Sequence, residues 1–230
     1  MYLNNIRDHE QNRMKNWKLK IKELPGGFLL IDKPSGPSSY DIIREIKKHY
    51  PKGTKIGHGG TLDPLASGLL VIGIGRDATK KLGDILKGDK TYEVTAVLGK
   101  TYDTYDITGK LIEEKSTESV TLKQIKKVLK SFEGDSSQIP PMFSALKHKG
   151  EPLYKFARQG IEIERKPRKI IIKEIKITSW ENPYIKFTVT CGSGTYIRSL
   201  VDDIGKELGC GGAVFLLRRT HIGSLSIDIA

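Results

Sequence analysis

Apolar residues along this chain keep to two rhythms, and the switches between them mark the elements. The run Leu69-Leu70-Val71-Ile72-Gly73-Ile74-Gly75 is too short for a buried helix and is bounded by glycine, which predicts a strand covered on both faces. Strict alternation appears where Tyr92, Val94, Ala96 and Leu98 interleave with Thr91, Glu93, Thr95 and Val97, predicting a strand over 90–98. A second alternation, Ile185, Phe187, Val189 and Cys191, predicts a strand over 184–191, preceded by another over 170–177. Residues 27–31 read as a strand ending in the breaker-rich turn Asp32-Lys33-Pro34-Ser35-Gly36. Helical spacing links Ile42, Ile43 and Ile46 behind a capping box of Ser38 and Asp41, and Pro51 stops that helix. Residues 77–87 place Ala78, Leu82, Ile85 and Leu86 on one side. Thr121 and Gln124 form a second capping box, opening a helix with Leu122, Ile125, Val128, Leu129 and Phe132 inside and Gly134 at its end. A last helix from Thr195 turns Ile197, Leu200, Val201 and Ile204 to one face. The sum is an α+β chain, with a mixed, largely antiparallel sheet and flanking helices.

Charge changes the picture next. The 230 residues carry 39 Lys and Arg against 27 Asp and Glu, a formal net charge of +12, and a nucleic acid is the simplest partner for that excess. The window 147–176 holds ten Lys or Arg against four Glu, half of the whole excess, with Tyr154 and Phe156 interleaved, and reads as a basic flap facing RNA. Residues 1–24 are polar and basic without a clear period, and read as a loosely held N-terminal extension. No apolar run is long enough for a membrane span or a signal peptide core, so a cytoplasmic protein without membrane contact is expected. Cys191 and Cys210 stand too far apart for a Cys-x-x-Cys pair and read as structural thiols. With no phosphate loop, dinucleotide fingerprint or zinc spacing, no cofactor and no metal are expected.

The candidate chemistry sits just before the buried strand. In Gly57-His58-Gly59-Gly60-Thr61-Leu62-Asp63-Pro64-Leu65-Ala66-Ser67-Gly68, one carboxylate lies among glycines and a proline. The glycines permit positive φ and close approach to a ligand, while Pro64 biases Asp63 toward extended backbone. An aspartate in such a turn ordinarily satisfies backbone amides, and His58 ordinarily braces the loop; the length of the string is what raises a catalytic reading above these. Asp103 and Asp106 lie in a second turn, 101–109, suited to capping amides or meeting a ligand. Arg198, at the first turn of the last helix, opposes the helix dipole and so suggests an anionic neighbour, Asp63 or a phosphate.

These segments together resemble the TruB-type tRNA pseudouridine-55 synthases, over roughly residues 26–223. The resemblance rests on the 27–34 strand and turn, the Asp63 loop, Lys90-Thr91-Tyr92, the 103–109 turn, the 138–147 stretch and Gly194-Thr195-Tyr196-Ile197-Arg198. It implies the pseudouridine synthase fold over 25–230, with a basic RNA-binding insertion near 138–170. It also implies isomerisation of a uridine to pseudouridine in the T-loop of tRNA. By the same resemblance Asp63 is the nucleophile, Arg198 its paired arginine, and Tyr92 the residue stacked on the target base and implicated in proton removal. His58, Tyr92, Tyr196 and Leu217 fall on positions that contact the flipped nucleotide or its RNA. Contacts to the tRNA T-loop and stem, by a monomer needing no protein partner, are the expectation. Phe143 stands where the family usually has tyrosine, which removes a hydroxyl. Many relatives continue into a small PUA-type RNA-binding domain, whereas this sequence ends at Ala230. Three other readings stay open at this point: a guide-RNA-dependent synthase, a non-catalytic tRNA-folding chaperone and a retaining glycosidase. The last would need a second catalytic carboxylate.

Overall fold

A computed structural model describes residues 19–229. In chain order its elements are β1 (Lys20–Leu24), β2 (Phe28–Lys33), α1 (Ser39–Lys47), β3 (Ile56–Gly59), β4 (Ser67–Ile74), α2 (Gly75–Ile85), β5 (Lys90–Leu98), β6 (Lys100–Tyr102), β7 (Leu111–Glu114), α3 (Leu122–Ser131) and β8 (Gly134–Gln138). Then follow β9 (Lys147–His148), β10 (Glu151–Pro152), α4 (Leu153–Arg158), β11 (Arg168–Glu181), β12 (Tyr184–Cys191), α5 (Ile197–Glu207), β13 (Gly212–Ile222) and β14 (Leu225–Ser226). The chain divides into two compact units, one running to Tyr92 and resuming at Leu217, the other formed by Glu93–Leu216.

In the first unit the strand order is β1-β2-β4-β13, with β3 also on β4 and β14 on β13. All these pairs are antiparallel except β4 with β13, which run parallel with Ser67 opposite Arg218 and Gly68 opposite Arg219. β4 is central and buried on both faces, as its unbroken apolar run requires. Leu30, Leu69, Val71, Leu82, Ile222 and Ile227 form the core around it. Both halves of the α1 capping box form: the Ser38 hydroxyl accepts from the Asp41 amide, and the Asp41 carboxylate accepts from the Ser38 amide at 2.8 Å. The basic N-terminal stretch needs a correction. Lys20–Leu24 is not a loose arm but an edge strand paired with β2, its mostly exposed side chains leaving no apolar rhythm to read. Residues 1–18, the rest of that predicted extension, lie outside the described residues.

The second unit carries the order β5-β12-β11-β8, with two-stranded ribbons β6-β7 and β9-β10. β12 keeps its predicted alternation, burying Ile185, Phe187, Val189 and Cys191, and α5 buries Ile197, Leu200, Val201 and Ile204. β11 extends well past the predicted 170–177, pairing with β8 through its first residues and with β12 through the rest. Leu122 departs from its predicted inward place and is 38% exposed, because it is the first residue of α3 and precedes the packed turns of Ile125 and Leu129. Cys191 and Cys210 are both buried. No helix among the described residues is long and apolar enough to cross a membrane.

Candidate active site

Asp63 sits at the middle of residues 60–66, the connection between antiparallel β3 and β4, whose register pairs Gly59 with Val71 and His58 with Ile72. The segment is tied down along its length. Arg219 donates through Nη2 to the Gly60 carbonyl at 3.0 Å. The Ser39 hydroxyl accepts from the Leu62 amide at 2.9 Å and donates to the Leu62 carbonyl at 3.0 Å, and the Leu62 side chain is buried. The Gly36 amide donates to the Pro64 carbonyl at 2.7 Å, the Ser35 hydroxyl to the Leu65 carbonyl at 2.8 Å, and the Ala66 amide to the Asp63 carbonyl at 3.1 Å. The turn 32–36 and the first residue of α1 thus clamp the loop, leaving Asp63 half-buried on a fixed backbone.

Two glycines allow this geometry. Gly60 adopts φ +74°, and a side chain there would press on Leu86 and the Arg219 guanidinium. Gly68, at φ +102°, lies against the Arg219 backbone, so the parallel pairing of β4 with β13 leaves no room for a Cβ.

Beneath the loop lie two cations that sequence reading did not single out as functional. Lys33 is fully buried and donates from Nζ to the carbonyls of Pro34 and Pro37, each at 2.8 Å. Burial pulls its pKa down from 10.5 to about 8, with Asp63 acting against that fall and Arg219 adding to it. Arg219 is 2% exposed and donates from Nε to the Leu69 carbonyl at 2.8 Å besides its bond to Gly60. In the sequence Arg219 is one of two adjacent arginines after the apolar run 213–217, with nothing to set it apart from Arg218; for Lys33 the signal was a lysine closing a strand just before proline. His58 is half-buried beside these groups; its Nδ1 is buried without a hydrogen-bond partner, and burial first, then the Arg219 charge, lower its pKa. His58 is accordingly a neutral imidazole near neutral pH.

Tyr92 and Leu217, the other two expected site residues of this unit, lie on β5 and β13 at 9% and 8% exposure. The Leu217 carbonyl accepts from the Ser67 hydroxyl at 3.5 Å, which sets it next to the end of the loop.

Arg198 and Tyr196 belong to the second unit. Tyr196 is the N-terminal flanking residue of α5, half-buried, with its amide and carbonyl both bonded to the Gln138 side chain, at 2.9 and 3.0 Å. Arg198 is 4% exposed and donates to the carbonyls of Thr104 and Phe143, each at 2.7 Å. Its Nε also lies 3.8 Å from Oδ2 of Asp106, itself buried. Asp106 thus supplies one anion beside Arg198 within this unit. The same carboxylate accepts from the Thr108 amide at 2.9 Å, and Asp103 accepts from the Lys110 amide at 2.7 Å, so both acids of the turn cap backbone amides. Because Phe143 contributes through its carbonyl, its exchange for the family tyrosine leaves this bond to Arg198 intact.

Residues 47–197 match the model of the TruB family pseudouridylate synthase N-terminal domain, and residues 198–229 match the tRNA pseudouridylate synthase B C-terminal domain. The chain is 49% identical over 202 residues to the tRNA pseudouridine synthase B of Mannheimia succiniciproducens, covering 88% of this chain and 65% of that protein. The corresponding protein of Actinobacillus pleuropneumoniae is 47% identical over 202 residues, with the same shares covered. The chain therefore spans about 65% of the length of these curated relatives. Among solved structures it is similar to a chain of a Cbf5–Nop10–Gar1 complex, at 32% identity and TM-score 0.67, covering 87% of this chain and 50% of that one. It is also similar to a chain of an H/ACA RNP bound to a substrate RNA containing 2'-deoxyuridine, at 25% identity and TM-score 0.62, covering 92% and 59%. With a family match that takes in β3, the clamped Asp63 loop and every element as far as the start of α5, the chain belongs to the TruB family of pseudouridylate synthases.

Proposed function

We propose that this chain isomerises a specific uridine to pseudouridine in the T-loop of tRNA, at position 55, acting as a cytoplasmic monomer without cofactor or metal. The reaction breaks the glycosidic bond, turns the uracil while it stays bound and rejoins the sugar to a ring carbon. No atom is lost and no redox change occurs, and the proton that leaves C5 of the uracil is balanced by one gained at N1, so a nucleophile and a group that moves that proton suffice.

The observation that carries this reading is the clamp on Asp63: a half-buried carboxylate on a loop bonded from Ser35, Gly36, Ser39 and Arg219, with the Lys33 charge acting on it. A carboxylate so fixed suits nucleophilic attack, as carboxylates serve in retaining glycosidases. In this proposal Arg198 is the guanidinium partner of the nucleophile, and Tyr92 stacks on the extruded base and takes up its proton. His58, Tyr196 and Leu217 hold the RNA around the flipped nucleotide. Neutral His58 presents a ring that can fill the gap left in the RNA stack without adding charge. The test is to incubate purified protein with an unmodified tRNA transcript, without metal or cofactor, and to map pseudouridine. Product at one T-loop uridine is expected, and Asp63→Asn should lower the rate at least about 10³-fold while tRNA binding persists. Product elsewhere, or an active Asp63→Asn protein, would refute the assignment.

The likeness to chains of the Cbf5–Nop10–Gar1 and H/ACA RNP structures favours a second reading, a synthase that works through a guide RNA. Identity of 47–49% to tRNA pseudouridine synthase B proteins, against 25–32% to those chains, ranks it second. Modification of tRNA by the protein alone separates the two.

A further inference from the structure

Helix α3, Leu122–Ser131, carries four lysines and no acid in ten residues. Lys123, Lys126, Lys127 and Lys130 follow the i, i+3, i+4, i+7 spacing, so they form one exposed stripe opposite buried Ile125 and Leu129. Every neighbouring pair in that stripe is like-charged and works against the helix, and Lys123 in the first turn also opposes the dipole. A surface shaped only for solubility interleaves both signs. Among the described residues Lys123, Lys126 and Lys127 make no salt bridge; Lys130 alone pairs with a carboxylate, that of Glu133. Glu133 in turn accepts from the Ile175 amide at 2.9 Å, which ties the end of α3 to β11.

That tie shapes a cleft of about 250 Å³ between α3 and β11. Its floor is Leu129, Ile175 and Ile177, and its rim carries Lys126, Lys130 and Lys176 with Glu133. Residues three and four apart on a helix have Cβ atoms about 5–6 Å apart, so the flexible lysine side chains they carry can reach successive phosphates of one RNA strand.

We infer that the lysine stripe of α3, together with Lys176 across the cleft, is an RNA-backbone contact surface in the second unit, one that takes phosphates of the substrate RNA and leaves base choice to the Asp63 loop. This rests on the proposed tRNA activity. Phosphate contacts of this kind set affinity and register, and the chemical step does not pass through them.

The experiment uses the whole chain with Lys123→Gln, Lys126→Gln and Lys127→Gln combined. These side chains are exposed and repel one another, so the variant should fold and melt no lower than the parent. Binding to unmodified tRNA transcript is measured over a range of salt, beside single-turnover pseudouridine formation at saturating RNA. The expected result is about tenfold weaker binding at 0.15 M salt and a salt slope smaller by about two, with the saturated rate unchanged. An unchanged slope and affinity would overturn the inference, as would loss of binding to poly-glutamate while tRNA binding is kept, which would mark the stripe as a site for an acidic protein. If the parent binds tRNA yet makes no pseudouridine, the activity proposal fails, and the binding comparison still decides the stripe.

Discussion

The chain holds positive charge in two different ways, and the contrast between them separates what builds the Asp63 loop from what faces solvent. Lys33 and Arg219 are almost wholly buried, and backbone carbonyls receive their hydrogen bonds. The lysines of α3 are exposed, and among the described residues the exposed cations that find carboxylates mostly do so three or four residues away on their own segment. Such surface pairs contribute little to stability and are screened by salt. Buried cations are costly to desolvate, so each must be fully occupied, and that requirement makes them architectural. Arg219 meets it by holding Gly60 and Leu69 at once, the two flanks of the residue 60–66 loop. The buried charges thus decide where the carboxylate stands; under the proposed activity, the exposed ones set how strongly a polyanion is drawn in.

The sharpest way to break this contrast is Arg219→Leu. It strips two charge-assisted bonds from the Gly60 and Leu69 carbonyls and leaves both short of a donor, so a loss of about 4 kcal/mol is expected. Urea denaturation should report it, along with faster amide exchange across residues 60–66. A variant as stable as the parent would show that the buried charge costs as much as it contributes, and the distinction would fall.

Lys33 gives a pH signature. An unfolded lysine keeps its proton up to about 10.5, whereas folded Lys33 releases it near 8. Between those values the unfolded state binds more protons, so stability should climb with pH from about 8 to 10.5, by up to about 3 kcal/mol; below pH 8 the burial penalty is present in full. The difference between parent and Lys33→Met denaturation midpoints, measured at pH 7, 8.5 and 10, isolates this from other titrations. A difference that stays flat across the three would mean the ammonium is not penalised by burial.

Ser39→Ala is the smallest test. It removes both bonds to Leu62, with an expected loss of about 1–2 kcal/mol and a pseudouridine rate that falls more than tRNA affinity does. Equal loss of rate and affinity would argue that the clamp serves binding rather than placement of Asp63.

Much of the fold was legible in short windows. The capping boxes of α1 and α3, the alternation of β12 and the double-sided burial of β4 each depend on residues within about ten positions of one another. The Asp63 loop was legible too, because glycine and proline announce an irregular backbone that a buried strand then supports. The edge strand β1 was not, since Lys-Ile-Lys-Glu-Leu has no face to bury and so no apolar period. Nor was the placing of Asp106 beside Arg198, since the two stand ninety-odd positions apart in the sequence.

Local pattern therefore determined which stretches are helix, strand or shaped loop, because backbone hydrogen bonding and burial period act over a turn or a pleat. Tertiary structure alone decided which polar groups became interior. In the sequence Arg219 is one of an adjacent basic pair, indistinguishable by type from Arg218. Arg218 turns to Asp32 near the surface, at 2.8 and 2.9 Å, while Arg219 passes into the core to bond residues 150 and 159 positions earlier. That choice follows from the parallel register of β13 on β4, since successive residues of a strand point to opposite faces and only one of those faces lies under the loop.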